Sequence, residues 1–315
     1  MNAAERFVRS IDAVQCRHPA LAFPYAVVRK FGDDDGGQLA GLIAYYGFFS
    51  LFPLLLVLVS VLGYVLAGDP HLRERIVGSA VAEFPVIGSS LAGHAGLHAL
   101  HGSWISILLG ALTALWAGLG VIQTAEHAMN TVWNVPRSRW PNFVFRRVRA
   151  LAVLGVLGLA VVGSSLLSGY GSSGVPSSAV AVATDAVAVA INLALFLVAF
   201  QLLTALPLRW RDLLPGALCA ALAWTTLQVV GGYYVSHELR AASNVYGTFA
   251  LVIALLIWIA LGAQVTLLSA EVNVVRARHL WPRRLVPPPI DEGDERAERA
   301  VVERGHRGSE VGADL

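Results

Sequence analysis

The sequence is poor in charge, in lysine and in cysteine, and each shortage bears on the class of protein. Only 14% of its 315 residues are charged and 56% are hydrophobic, a composition outside the range of soluble globular domains. Lysine occurs once against 22 arginines, a bias typical of a GC-rich genome rather than of a function. The two cysteines, Cys16 and Cys219, fall in different environments, so no disulfide is expected.

Long apolar stretches take the place of these residues. Six of them are about 20 residues or longer, enough to cross roughly 30 Å of hydrocarbon as helices. We therefore predict an all-α, polytopic membrane protein with six transmembrane helices and no cleavable signal peptide. The predicted spans are residues 39–67, 104–128, 150–168, 180–206, 213–234 and 246–274.

Basic residues lie almost entirely on one side of these spans. With the amino terminus inside, the inner segments hold 20 of the 23 Lys and Arg residues, and the outer segments hold Arg73, Arg75 and Arg240. Because Lys and Arg accumulate in cytoplasmic loops, both termini are predicted to be cytoplasmic. The predicted location is the inner membrane of a bacterium, crossed several times.

Three segments flank or interrupt the transmembrane domain at 39–274. Residues 1–38 are predicted to form a cytoplasmic amphipathic segment of two short helices, separated at His18-Pro19. Residues 68–103 form the longest external segment, and 71–84 has the pattern of an interfacial helix. Residues 275–315 are rich in acidic residues and arginine, lose the apolar periodicity after Pro282 and include three consecutive prolines at 287–289, which predicts a cytoplasmic, largely disordered tail.

Polar side chains gather toward the cytoplasmic halves of the second and sixth spans. Their spacing places those of each span on one helical face. An ionised carboxylate near the membrane centre costs roughly 2.5–3.5 kcal/mol, so such groups usually face a bundle interior or water. We predict a polar vestibule that binds a substrate headgroup; alternatively, Glu126 and Glu271 lie at the interface and pair with nearby arginines. The predicted vestibule residues are Gln123, Glu126, Asn130, Gln264 and Glu271.

Other features of the spans predict architecture rather than chemistry. Pro53 lies near the centre of the first span and is predicted to kink that helix, because proline removes one backbone hydrogen bond. Asn192 and Gln228 are predicted to form hydrogen bonds between helices. His94 and His98 have the spacing of metal ligands in a helix, with His101 one turn further. Neighbouring glycines and the lack of a nearby carboxylate or cysteine argue against a metal site.

The sequence contains no catalytic motif that we recognise. The GxSxG elbow of hydrolases and the GxxxxGK[ST] loop of nucleotide-binding proteins are both missing. The internal loops are about 20 residues or shorter, too small for an ATPase or a folded RNA-binding surface. We therefore predict no enzyme activity, no cofactor, no bound metal and no nucleic-acid partner, and ribonuclease activity is not expected.

Three segments resemble a known family. They are AYYGFFSLFPLLL with Tyr46 and Pro53, AEHAMNTVWNVPRSRW with Asn130 and Trp133, and SNVYGTFALVIALLIWIALGAQVTLLSAEVN with Glu271. In this order, over about residues 5–280, they resemble the YihY / virulence factor BrkB family. The resemblance implies six spans with both ends inside. Family members have been labelled ribonuclease BN, and others have been linked to serum resistance, envelope integrity or lipid transport.

Two functions remain open for such a protein. In the first, cytoplasmic arginines hold an anionic lipid headgroup while the region of Glu126 and Glu271 lines the inner opening for a lipid or lipid-linked envelope precursor. In the second, the chain is a non-transporting scaffold that supports envelope integrity through protein partners. Membrane lipids are the expected partners in the first case.

Overall fold

The computed structural model describes residues 12–65, 104–140, 142, 145–153, 155, 178–234, 248–285 and 291–309. All regular secondary structure in these ranges is helical. The predicted external segment 68–103, with its histidines, and most of the predicted third span lie outside the described residues. So do residues 235–247.

Nine helices are present in the described ranges, α1 to α9 in chain order. Five of them, α3, α4, α6, α7 and α8, coincide with predicted spans to within about four residues at either end. A 3-10 turn at Arg137–Arg139 follows α4. The helices are α1 (12–17), α2 (Pro19–Asp33), α3 (Gly36–Val65), α4 (Trp104–Val132), α5 (145–153), α6 (Ser178–Leu203), α7 (Trp210–Tyr234), α8 (Thr248–Ala277) and α9 (Glu292–Ser309).

Two segments of the described chain are long and apolar enough to cross a membrane, Trp210–Val230 in α7 and Val252–Ala277 in α8. A shorter apolar stretch, Val189–Leu203, belongs to α6. Helices α7 and α8 carry rows of exposed apolar side chains four residues apart, which lipid would favour and water would not. These rows are Leu214, Leu218 and Leu222 on α7, and Phe249, Ile253, Ile257 and Leu261 on α8.

Helices α3, α4, α6, α7 and α8 pack as a ring. Helix α3 contacts α4 and α8, α8 contacts α7, α7 contacts α6, and α6 contacts α4. The buried side chains between them include Phe200, Met129 and Leu267. Pro53 lies inside α3, which continues on both sides of it, and the kink remains a prediction.

One end of this ring is polar, and we call it the polar end. It is the end at which α3 and α7 begin and α4, α6 and α8 finish. Among the described residues, every Lys and Arg belongs to the segments at this end. The chain turns there between α2 and α3 at Asp34 and Asp35, and Asp35 adopts a left-handed conformation with φ 53°, which aspartate tolerates better than most residues.

The described part of the carboxyl-terminal tail contains helix α9. Disorder of the tail as a whole stays a prediction. Acidic residues occupy the first turn of this helix, where they interact favourably with the helix dipole. Ion pairs four residues apart, Glu292 with Arg296 and Glu295 with Arg299, add further stability. This local pattern outweighs the low hydrophobicity of the tail.

Candidate functional site

Helix α2 docks on the polar end through a narrow buried stripe. Ala22, Ala26 and Lys30 are buried at intervals of four residues, so they share one face of the helix. The two alanines are small enough for the backbone of α2 to lie close to its neighbours, and α2 contacts α8 and α3. Leu21 and Val28, which lie outside this stripe, are exposed. The amphipathic segment is therefore part of the packed structure.

Lys30 is the centre of a buried cluster of charges, which we call the triad. Its ammonium group forms ion pairs with Asp34, one turn later, and with Glu271 of α8, whose Oε2 is 3.0 Å from Nζ. It also donates a hydrogen bond of 2.8 Å to the carbonyl of Val132, the last residue of α4. Lys30 is 4% exposed, Asp34 5% and Glu271 0%. The triad thus joins α2, α4 and α8.

The geometry of the triad explains why this position holds a lysine. An ammonium group is a compact charge with three donors, whereas a guanidinium is a planar fork. Three oxygens converge on Nζ, one each from Asp34, Glu271 and Val132. Two carboxylates share this one cation, and Oε1 of Glu271 has no hydrogen-bond partner among the described residues. The cluster therefore holds more acceptor capacity than Lys30 satisfies.

Glu126 belongs to a separate ion pair. Its Oε2 lies 3.5 Å from Nε of Arg146 on α5, and Glu126 is buried. The guanidinium of Arg146 lies 5.9 Å from the ring centroid of Trp140, a cation–π distance. The ring of His127 contacts Trp140 edge-on. Glu126 thus pairs with an arginine, as the interfacial alternative proposes, while Glu271 pairs with the lysine.

Two buried asparagines connect helix ends at the polar end. Oδ1 of Asn130 accepts a 2.8 Å hydrogen bond from the backbone N–H of Ala205, just after α6. Oδ1 of Asn273 accepts a 2.6 Å hydrogen bond from the backbone N–H of Gly216 in α7. Such bonds hold membrane helices in register. The role visible for Asn130 is therefore structural.

The five predicted vestibule residues have different contacts in the structure. Glu126 and Glu271 belong to separate ion pairs, and Asn130 bonds to backbone. Gln123 and Gln264 are half-buried and take no part in either ion pair. The vestibule remains a prediction. Sequence reasoning missed Lys30 and Asp34 as the partners of Glu271, although a lysine that occurs once in the chain was a visible signal.

Several cations at the polar end contact the last carbonyl groups of helices. Arg278 donates to the carbonyl of Trp133 after α4, and Arg296 donates to that of His279 after α8 at 2.8 Å. Arg149 donates to the carbonyls of Gln201, at 2.9 Å, and Thr204 at the end of α6. Cations are favourable at these positions because helix carboxyl ends carry unpaired carbonyls and partial negative charge.

A second ionic network clamps the amino-terminal segment to the tail. Nη1 of Arg283 lies 2.7 Å from Asp33, and its Nε lies 3.2 Å from Asp294 of α9. Arg284 pairs with Asp12 and Asp291 at 3.5 and 3.0 Å. Within this network, burial and the neighbouring carboxylate of Asp12 together raise the pKa of Cys16 to about 11, so the thiol is a poor nucleophile at neutral pH.

The residues that the structure describes include no group of three or more His, Cys, Asp or Glu side chains arranged to hold a metal ion. Glu126 of α4 and Glu271 of α8, both buried, are each paired with a cation instead. The polar end is thus a set of ion pairs and helix caps in these ranges.

Residues 27–288 match the family model described as virulence factor BrkB. The chain belongs to this family. The match covers most of the sequence, and it confirms the resemblance inferred from the three motifs. Together with the apolar helices, it establishes an all-helical membrane protein.

Relatives carry membrane-protein and ribonuclease-like names. A UPF0761 membrane protein of Azotobacter vinelandii is 29% identical over 90% of this chain and 68% of its own length. Another, from Chromohalobacter salexigens, is 27% identical over 78% of this chain and 60% of its own length. The putative ribonuclease-like protein YfkH of Bacillus subtilis is 23% identical over 81% of this chain and 95% of its own length. No solved structure matches the chain.

Proposed function

We propose that this BrkB-family protein crosses the bacterial inner membrane six times, with both termini in the cytoplasm, and handles or transports a lipid or lipid-linked envelope precursor. The alternation of the helices supports this topology. Helices α4 and α6 both finish at the polar end, an alternation that a further span through 150–168 would fit. The basic residues of the polar end support its assignment to the cytoplasmic side.

The observation that carries the proposal is the buried triad. Replacing a buried ion pair by apolar side chains is often neutral or stabilising, so such a cluster is weak evidence for a role in stability alone. Ionisable residues within membrane helices more often mark a pathway or a ligand. In this proposal α2 closes the polar end in the conformation seen in the structure. Separation of α2 from the polar end exposes Glu271 and leaves Lys30 free to bind an anionic headgroup.

One observation favours the second candidate, the non-transporting scaffold. Glu271 is fully buried and both spanning carboxylates already have cationic partners. A static helix bundle requires buried charges that are paired and no opening to solvent around them. Under this candidate the triad only holds α2 in place, and function depends on surfaces outside it.

Stepwise neutralisation of the triad separates the two candidates. Lys30→Met alone leaves two buried carboxylates without their cation and is expected to cost about 3–5 kcal/mol of stability. The triple variant Lys30→Met, Asp34→Asn, Glu271→Gln removes all three charges with little change in volume and is expected to recover most of that loss. Thermal unfolding in detergent measures the recovery, and growth of a deletion strain on bile salts or detergent measures envelope integrity.

The lipid-handling proposal predicts that the triple variant folds but does not restore the envelope. A folded triple variant that restores it fully would contradict this proposal and favour the scaffold. The matched control is Glu295→Gln with Arg299→Gln, an exposed ion pair of α9, which should leave both measurements unchanged.

Enzyme activity is not part of this proposal. One relative has a ribonuclease-like name, but the UPF0761 relatives are named only as membrane proteins. The absence of nuclease activity in this chain remains a prediction.

A further inference from the structure

A groove lies between the end of α6 and the start of α7, beside the polar end. Its volume is about 760 Å³, within the range of sites for small molecules. Side chains of the two helices form an apolar wall. The turn between them and the first residues of α7 form the rim. The apolar wall includes Leu197, Val198, Leu202 and Leu213, and the rim includes Arg209 and Arg211.

The two rim arginines are available for an anion. Both are exposed, and neither has an ion-pair partner among the residues that the structure describes. Neighbouring Asp212 does not pair with either of them. The guanidinium of Arg211 lies 5.4 Å from the ring centroid of Trp210, which holds it beside the groove. Other arginines at the polar end, such as Arg146 and Arg283, are already paired.

The groove has the polarity of a membrane interface. Trp210 is 62% exposed, and an exposed tryptophan beside arginines is typical of the level of lipid headgroups. Leu214, Leu218 and Leu222 form an exposed apolar row further along α7. A charged head at the rim and an apolar tail along α7 would therefore each meet a matching surface.

We infer that this groove binds a phospholipid with an anionic headgroup. Arg209 and Arg211 hold the phosphate, and an acyl chain lies against Val198, Leu202 and the apolar row of α7. Arginine suits this role because its fork binds phosphate oxygens in pairs. The groove uses α6 and α7, whereas the triad uses α2, α4 and α8, so this inference holds whether or not the polar end handles a precursor.

Binding of phosphatidylglycerol to the full-length protein tests the inference. The protein is placed in nanodiscs of phosphatidylethanolamine with increasing phosphatidylglycerol, and bound lipid is counted by native mass spectrometry. Arg209→Gln with Arg211→Gln should weaken phosphatidylglycerol binding roughly 30-fold. Val198→Phe fills the apolar wall without a change in charge and should weaken binding as well. Both arginines are exposed, so thermal unfolding of the double variant should match that of the original chain.

The matched control is Arg137→Gln with Arg139→Gln, which removes the same charge from exposed positions of the 3-10 turn at the same end. It should leave binding unchanged within about twofold. Equal losses in the two double variants would show attraction by surface charge alone and overturn the inference. So would a Val198→Phe variant that binds normally, or displacement of the lipid by millimolar inorganic phosphate.

Discussion

At the scale of single residues, the polar end combines buried charges, which need a partner, with a glycine at a close contact between two helices. Lys30 is buried because three oxygens from different elements surround its ammonium group. Gly216 is buried because α7 and α8 approach each other closely there. A Cβ atom at Gly216 would lie 2.2 Å from the carbonyl oxygen of Ser269 and 2.4 Å from Nδ2 of Asn273. Backbone cannot move aside as a flexible side chain can.

Gly216→Ala should therefore destabilise the protein by about 1–3 kcal/mol, because the helices must separate and the Asn273 hydrogen bond must lengthen. Thermal unfolding in detergent measures the effect.

Gly41→Ala is the control, since Gly41 lies in α3 and a Cβ there would meet nothing within 4 Å. Alanine is the better helix former, so this change should be neutral or stabilising by up to about 1 kcal/mol. If both substitutions lowered the melting temperature equally, the close approach of α7 and α8 would not be the cause.

At the scale of elements, the structure gives a reason why the basic residues lie on one side of the helices. Helices α4, α6 and α8 all finish at the polar end, and cations contact their last carbonyl groups. The same arginines that indicate orientation thus also cap helices. The amino-terminal segment and the tail add a further layer, joined to each other through Arg283 and Arg284.

Arg283→Met should release α9 from this layer. Arg283 is buried between Asp33 and Asp294, and loss of a buried partner is expected to weaken docking by about 3–5 kcal/mol. Hydrogen exchange of the α9 amides should accelerate strongly.

Arg299→Met is the matched substitution in α9 itself, where Arg299 pairs with Glu295 on an exposed face. Exposed pairs of this kind contribute at most about 0.5 kcal/mol, so exchange should barely change. Unchanged exchange in Arg283→Met would show that α9 docks by other contacts.

The helices themselves could largely be predicted from the sequence, whereas their partners could not. Long apolar runs place α3, α4, α6, α7 and α8 to within about four residues. Helix α4 continues four residues beyond the predicted span, where Met129 and Val132 are buried. The triad requires the docking of α2, a contact between segments far apart in sequence that no local pattern indicates.

At the scale of the whole molecule, orientation in the membrane is the property that the charges predict most directly. A cysteine-free background, Cys16→Ser with Cys219→Ser, allows single cysteines to report the side on which they lie. In spheroplasts, an impermeant maleimide should label His94→Cys, in the predicted external segment, without permeabilisation. Arg139→Cys, at the polar end, should be labelled only after the membrane is opened. Labelling of both from the same side would contradict the six-span topology.

The solitary lysine gives the folded chain an unusual chemical behaviour. Apart from the terminal amine, Lys30 is the one primary amine in the sequence, and it is 4% exposed. Amine-directed acylating reagents and lysine-specific proteases therefore find no accessible side-chain target in the closed bundle. Lys30 would be modified only in molecules in which α2 has separated from the polar end. The fraction of protein with a single added mass would therefore measure the population of this open state without any engineered probe.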